Sequence, residues 1–130
     1  MLKGACLCGE VEWTFDADPG SATACNCTAC RRYGVLWIYG HEGEDVALRG
    51  PVRGFARGDK KLEFLFCPTC GNLAAWRGLS TDKDGRVRMA VNIRLADPDS
   101  VAALPVDHFD GFAAFEDLGR DGRCVKDMWF

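Results

Sequence analysis

The sequence predicts a mainly β fold, built from one or two antiparallel sheets whose ends are held by metal ions. Two observations predict the strands: apolar residues recur at every second position in several segments, and turn residues separate those segments. A third observation predicts the metal, because seven of the eight cysteines fall into three short motifs. Helical periodicity is scarce by comparison.

The strand segments follow one another along most of the chain. In order they are the alternation of Val11, Trp13 and Phe15, the apolar run 35–39, the weaker segments 46–48 and 52–55, the alternation of Leu62, Phe64 and Phe66, and the alternation of Val87, Met89, Val91 and Ile93. The last segment is the longest clean alternation, and it has Arg86, Arg88, Asn92 and Arg94 on its other side.

Short helical turns are expected over 28–33 and over 97–104, where Asp97 can cap a helix that Pro105 stops. The segment 111–130 has no clear period. We expect its aromatic residues to pack on the body of the domain; they are Phe112, Phe115, Trp129 and Phe130.

Length and composition restrict the class of protein. The 130 residues suit one domain spanning 1–130, and 48% hydrophobic with 27% charged residues is a globular composition. A net charge of −3 without a basic run argues against a nucleic-acid partner.

No apolar stretch approaches the roughly 18 residues of a membrane span. The first residues lack the apolar segment of a secretion signal, so we expect a cytoplasmic protein. Nothing in the sequence indicates an oligomeric state.

Cysteine spacing predicts two different metal sites. Cys-x-Cys at Cys6 and Cys8 and Cys-x-x-Cys at Cys67 and Cys70 supply four thiolates, which we call the four-cysteine cluster. Four thiolates close a tetrahedral site, as in structural zinc. Gly9 directly follows the first of these motifs and Gly71 the second, so the backbone can bend tightly around an ion.

The remaining motif supplies only three ligands. Cys25, Cys27 and Cys30, the three-cysteine cluster, would leave one tetrahedral position open for water or substrate, as in catalytic zinc. A substrate thiol could fill that position as a thiolate. Three adjacent thiols are also compatible with a redox or disulfide-exchanging unit.

Other residues have an ordinary interpretation beside a functional one. Cys124 is either a fourth ligand for the three-cysteine cluster or a small apolar residue. Arg31 and Arg32 either hold a substrate carboxylate or form a solvated pair. His41 and His108 lack ligand spacing, so surface or core positions are expected. Three aromatic residues either wall a pocket or pack in the core; they are Trp37, Tyr39 and Trp76.

The three cysteine motifs together resemble one family. Gly4–Val11 (GACLCGEV), Cys25–Arg31 (CNCTACR) and Phe66–Gly71 (FCPTCG) are similar to the glutathione-dependent formaldehyde-activating enzymes, which are grouped with centromere protein V. The resemblance extends to about Phe109. It departs from the common family pattern at Asn26, where His is usual, and in the stretch 31–37, which should line the substrate site.

The resemblance implies an Mss4-like fold, a β-tent of small antiparallel sheets with short helical turns. It implies a structural zinc on Cys6, Cys8, Cys67 and Cys70, and a second, catalytic-type zinc on Cys25, Cys27 and Cys30. It also implies a carbon–sulfur lyase that joins formaldehyde to the thiol of glutathione. Our hypothesis for its mechanism has Arg31 or Arg32 holding a glutathione carboxylate. The partners would be a small-molecule thiol and an aldehyde. A zinc-stabilised binding module and a thiol redox protein are the competing interpretations.

Overall fold

The structure, a computed structural model, describes residues 1–129 as two sheets with a few short helices. The strands are β1 (Leu2–Ala5), β2 (Glu12–Phe15), β3 (Ala22–Cys25), β4 (Trp37–His41), β5 (Val46–Arg49), β6 (Arg53–Ala56), β7 (Leu62–Phe66), β8 (Leu73–Gly78), β9 (Arg88–Asn92), β10 (Val106–Asp110) and β11 (Glu116–Leu118). The helices are α1 (Thr28–Tyr33), α2 (Pro98–Val101) and single 3-10 turns at Ile93–Leu95 and Val125–Met128. The predicted mainly β class is confirmed.

Strand pairing is antiparallel with one exception. β1, β2 and β5 form a three-stranded sheet. The other strands form one sheet in the order β11-β10-β3-β4-β9-β8-β7-β6, in which only β3 and β10 run parallel. Phe109 on β10 lies opposite Cys25 on β3, so the parallel pair brings the C-terminal part of the chain beside the three-cysteine cluster. No helix in residues 1–129 is both long and apolar enough to cross a membrane.

Alternation along the central strands gives the eight-stranded sheet two apolar faces. Ile38 and Met89 lie on the face that packs against Trp13 and Phe15 of the smaller sheet, and this interface is the main core. Trp37 and Ala90, the strand neighbours of Ile38 and Met89, point to the opposite face. On that face they belong to a second buried cluster, whose members are Ala29, Cys30, Val35, Trp37, Phe64, Leu73, Trp76 and Ala90. One sheet face therefore stabilises the domain, and the other carries a cysteine cluster.

Asn92, at the end of β9, is a buried polar residue. Its side chain is only 6% exposed. The amide nitrogen donates to the Leu73 carbonyl at 2.9 Å, and the amide oxygen accepts from the Arg94 backbone N–H at 3.2 Å. The buried amide is satisfied, so it can connect β8 to the end of β9 without a desolvation penalty.

The aromatic residues after β10 do not pack on the body as expected. Phe112 is 67% exposed and Phe115 is 76% exposed, while Trp129 is 39% exposed. Both phenylalanines lie in the turn between β10 and β11, whose backbone is held by polar contacts rather than by apolar burial. Phe115 does contact Phe109, with ring centroids 4.9 Å apart. Phe130 lies outside the described residues.

Candidate metal centres and their cavity

The four-cysteine cluster joins the end of β1 to the turn between β7 and β8. Its sulfur atoms all lie within 4.8 Å of one another. The Cys8 sulfur is 3.6 Å from that of Cys6 and 3.6 Å from that of Cys67. Sulfurs around one tetrahedral zinc lie roughly 3.8 Å apart, whereas disulfide sulfurs lie about 2.05 Å apart. The spacing therefore suits four thiolates around one metal ion.

Both motifs of this cluster turn at the glycine that follows them. Gly9 has φ +82° and Gly71 has φ +77°, the left-handed region that glycine enters without strain. The turns direct backbone N–H groups at the sulfurs. The Val11 N–H donates to the Cys6 sulfur at 3.3 Å, and the Cys70 N–H donates to the Cys67 sulfur at 3.5 Å. Such donors orient metal-binding thiolates and stabilise their charge.

Backbone N–H groups stabilise only part of the negative charge that four thiolates would place in the four-cysteine cluster. The N–H groups of Asn72 and Cys8 lower the pKa of the Cys70 thiol to about 6. The Glu10 N–H also acts to lower the pKa of Cys8, but burial and the neighbouring thiols raise it to about 12. Cys8 and Cys70 therefore do not ionise together at neutral pH, because the negative charge on one sulfur opposes ionisation of the other. A bound cation would remove this repulsion, which is the behaviour expected of a metal site.

The three-cysteine cluster is built at the junction of β3 and α1. β3 ends at Cys25, and Cys27 caps α1 by accepting the Cys30 N–H on its sulfur at 3.2 Å. The Cys27 N–H donates to the Cys25 sulfur at 3.4 Å, and the indole N–H of Trp37 donates to the Cys30 sulfur at 3.3 Å. All three sulfurs lie within 4.8 Å of one another, and within residues 1–129 no fourth ligand atom joins them.

The turn after β10 closes over this cluster. A Cβ atom on Gly111 would lie 2.7 Å from the Cys25 sulfur and 2.9 Å from the Cys27 Cβ, so only glycine fits there. The Asn26 side-chain oxygen accepts the Phe112 N–H at 3.0 Å. The Asp110 carboxylate accepts the three N–H groups of residues 112–114 at 3.0 to 3.2 Å. These N–H groups, those of residues 114 and 113 first, lower the pKa of Asp110.

Negative charge is already stabilised at the three-cysteine cluster. A hydrogen bond from Cys30 is the main cause that lowers the pKa of Cys25 to about 6, and the N–H groups of Cys27 and Gly111 add to it against the effect of burial. The same interaction and burial raise the pKa of Cys30. The cluster therefore holds a thiolate at neutral pH, and soft thiolate ligands suit zinc among the common metals.

A cavity of about 440 Å³ opens directly from the three cysteines. Its walls are mostly aromatic, and they are formed by Trp37, Tyr39, Phe64, Trp76, Phe109 and Phe115. Thr23, Arg88 and Asp117 are the polar side chains among its lining residues. Burial raises the pKa of Tyr39 to about 12, so its hydroxyl keeps its proton at neutral pH and can donate a hydrogen bond. The arrangement is typical of a small-molecule site.

A larger cavity, of about 650 Å³, lies elsewhere along β1 and β2. It is lined by Met1, Lys3, Gly4, Ala5, Glu12, Trp13, Thr14, Arg49, Leu95 and Asp97. No cysteine or histidine is among these residues, and the one ion pair within it, between Arg49 and Glu12, is exposed to solvent. The smaller cavity is the candidate site because it contains reactive groups.

Several residues singled out in the sequence lie away from this cavity. Arg31 and Arg32 are exposed: Arg31 lies over the Phe112 ring at 5.8 Å, and Arg32 donates to the Thr28 carbonyl at 3.0 Å. Cys124 belongs to neither cluster, and its N–H donates to the Asp127 carboxylate at 2.8 Å.

The two histidines lie among carboxylates. His41 lies 3.6 Å from both Asp45 and Asp82. With Glu44 and Asp45 it forms a third group whose ligand atoms lie within 4.8 Å, but Arg86 pairs with Glu44 and Asp82 there. His108 lies 3.3 Å from Asp121.

Three aromatic residues that the sequence assigned either to a pocket wall or to the core all line the cavity; they are Trp37, Tyr39 and Trp76. Trp37 and Trp76 are also buried, so core packing and pocket formation coincide. Arg88, Gly111 and Asp117 also line the cavity, and none of them was predicted as a site residue from the sequence. Arg88 had a weak signal, as an arginine on a predicted strand. Gly111 and Asp117 had none, because a long-range strand pairing brings them to the cavity.

The fold and the two thiolate clusters define a mainly β protein with one closed and one open candidate metal centre. The sequence model of the glutathione-dependent formaldehyde-activating enzymes matches residues 1–104, and the chain belongs to that family. A crystal structure of a Rhodobacter sphaeroides protein has the same fold, with a TM-score of 0.61 and 24% sequence identity over 80% of this chain and 98% of that one. No curated protein matches the sequence.

Proposed function

We propose that the protein binds two zinc ions, one at each cysteine cluster, and that it is a carbon–sulfur lyase that adds a thiol such as glutathione to a small aldehyde. The observation that carries the proposal is the contrast between the clusters. Four sulfurs surround one centre, while three sulfurs face a cavity of about 440 Å³ without a fourth ligand in residues 1–129. Membership of the glutathione-dependent formaldehyde-activating family supports the choice of a thiol and a small aldehyde as reactants.

The chain's own residues would position the reactants. A zinc ion bound by Cys25, Cys27 and Cys30 would supply a site where a substrate thiol ionises at neutral pH. The aromatic walls would exclude water from the sulfur and the carbonyl carbon. Tyr39 is protonated, so its hydroxyl is suited to donate a hydrogen bond within the cavity, not to act as a base.

The reaction is an addition without a redox change. The substrate sulfur forms a bond to the aldehyde carbon, and the π electrons of the carbonyl move to its oxygen. The proton lost by the thiol ends on that oxygen, which gives an S-hydroxymethyl adduct when the aldehyde is formaldehyde. A metal ion held by Cys25, Cys27 and Cys30 beside the cavity would bring both reactants together, and holding two reactants in position accounts for a large part of such an acceleration.

The test compares Cys27→Ser with Cys124→Ser. We expect two zinc ions per chain in the wild type and in Cys124→Ser, and one in Cys27→Ser. Glutathione binding and adduct formation with formaldehyde should be lost only in Cys27→Ser. Unchanged binding and activity in that variant would contradict the proposal. One zinc in the wild type, with no thiol affinity, would favour a binding module. Reversible oxidation of the three-cysteine cluster instead would favour a redox protein.

A further inference from the structure

We propose that Arg88 binds a carboxylate of the substrate, so that the cavity selects thiols that carry a carboxylate group. The inference rests on the proposed function, because it assumes that the substrate sulfur lies at the three-cysteine cluster. Arg88 then has the role that was predicted from the sequence for Arg31 or Arg32.

Strand geometry places Arg88 on the cavity face of the large sheet. Arg88 begins β9, and with Ala90 it points to the same side because side chains two residues apart share a face. Ala90 lies opposite Tyr39 on β4 and opposite Trp76 on β8. Both rings line the cavity, and so does Arg88. Ala90 is small and buried, and the Arg88 side chain beside it lies over the two rings.

The two rings hold the guanidinium group. Its carbon lies 5.8 Å from the Tyr39 ring centroid and 5.7 Å from the Trp76 ring centroid. Both distances lie within the range of a cation–π interaction. A guanidinium packed on ring faces keeps its N–H groups available in the plane, where they match the two oxygens of a carboxylate. Less side-chain entropy is then lost when the carboxylate binds.

Arg88 forms no ion pair with a carboxylate of residues 1–129. Arg77 and Arg86, on or beside the same sheet, pair with Glu42 and Asp82. None of the ion pairs formed among residues 1–129 includes Arg88. Asp117 is the acidic residue that lines the same cavity, and it does not pair with Arg88 either. The cavity thus contains a positioned cation with no protein carboxylate bound to it.

Substrate size agrees with this assignment. A cavity of about 440 Å³ is within the range that holds a small organic molecule, so it can contain a thiol together with a carboxylate on the same molecule. Arg31 and Arg32 do not line the cavity. Arg88 is the one arginine or lysine among the residues that line this cavity, so it is the cationic group placed to bind a carboxylate there.

The experiment measures thiol binding to the zinc-loaded full chain by calorimetry, with tryptophan fluorescence from Trp37 and Trp76 as a second readout. The ligands are glutathione, glutathione with both carboxylates esterified, and 2-mercaptoethanol, which has no carboxylate. The variants are Arg88→Met and, as the matched control, Arg31→Met. Zinc content and circular dichroism verify that each variant is folded and loaded.

We expect Arg88→Met to weaken glutathione binding roughly 10-fold or more, as for loss of a charge-assisted hydrogen bond. Esterified glutathione should bind the wild type as weakly as glutathione binds Arg88→Met. Binding of 2-mercaptoethanol should be equal in all three proteins, and Arg31→Met should bind glutathione like the wild type.

The outcomes separate this inference from the proposed function. If all thiols bind the wild type but Arg88→Met keeps full affinity for glutathione, the carboxylate assignment is wrong and the proposed function stands. If the loss occurs in Arg31→Met instead, the carboxylate role belongs to Arg31. If no thiol binds the wild type, including 2-mercaptoethanol, the proposed function and this inference fail together.

Discussion

Replacing Gly111 by alanine tests whether the turn after β10 is part of the second metal centre. The backbone of Gly111 is outside the left-handed region, so alanine is compatible with its conformation and only the added methyl group matters. That carbon would lie 2.7 Å from the Cys25 sulfur and 2.9 Å from the Cys27 Cβ. Ordinary contact begins at 3.4 Å, so the sulfur and the turn must separate by 3.4 − 2.7, about 0.7 Å.

The size of the effect follows from that displacement. Metal–ligand distances in protein sites are constant to about 0.2 Å, so the required movement is not compatible with unperturbed coordination. Overpacking of this kind costs roughly 1 to 3 kcal/mol. At about 1.36 kcal/mol per factor of ten, zinc affinity at the three-cysteine cluster should fall roughly 5- to 150-fold.

The assay is a chelator competition on the protein loaded with two zinc ions, in which the more weakly held ion is removed first. Gly119→Ala is the matched control, because Gly119 also lacks a positive φ and nothing lies within 4 Å of the position that its added methyl group would take. We expect Gly119→Ala to release zinc like the wild type, and Gly111→Ala to release one ion at a lower chelator concentration. If Gly111→Ala holds both ions as tightly as the control, the turn does not constrain the centre and our reasoning is refuted.

Three further predictions concern the two clusters and the turn. Trp37→Phe should weaken zinc binding at the three-cysteine cluster roughly 10- to 100-fold, because a donor to a thiolate is lost. Trp13→Phe should not, since the buried indole N–H of Trp13 has no hydrogen-bond partner among residues 1–129. Chelator competition distinguishes the two variants. Cys70→Ser should unfold the domain or lower its melting temperature severely, because zinc-binding free energies of about 10 kcal/mol or more are as large as the whole free energy of unfolding. Cys124→Ser is the control. Equal melting temperatures of the two variants would contradict the assignment of a metal site to the four-cysteine cluster. Asp110→Ala should be less stable than the wild type above about pH 4, which is the pKa of the carboxyl group in the unfolded chain. The difference in stability should vanish as the pH falls through the lowered pKa of the folded state, because only the ionised carboxylate accepts the three N–H groups well. Thermal unfolding measured across this pH range tests the prediction, and a difference that persists at low pH would exclude the ionised carboxylate as its cause.

Local sequence patterns were sufficient for the elements whose structure depends on near neighbours. The segments predicted at 46–48, 52–55 and 28–33 correspond to β5, β6 and α1. Gly9 and Gly71 turn with positive φ where cysteine motifs require a bend. These features are local because a strand period, a helix cap and a tight turn are set by residues within a few positions of one another.

Strands without a local period were not predictable in this way. β1 contains Lys3 and Gly4, and β10 and β11 are rich in charged residues, so neither alternation nor apolar character marks them. They are strands because a partner supplies their backbone hydrogen bonds, as in the parallel pairing of β10 with β3. Pairing of this kind depends on residues more than 80 positions apart.

The chain's cysteine spacing was enough to separate a closed from an open candidate metal centre, because ligand number and spacing follow from short motifs. The cavity beside the open centre depended on tertiary structure. An alternating pattern places Arg88 on the polar side of a strand, but only the assembled sheet places its guanidinium group over two aromatic rings. Likewise, only the pairing of β10 with β3 brings Gly111 against the Cys25 sulfur. A substrate site combines groups from distant segments, and their distances are set when those segments pack.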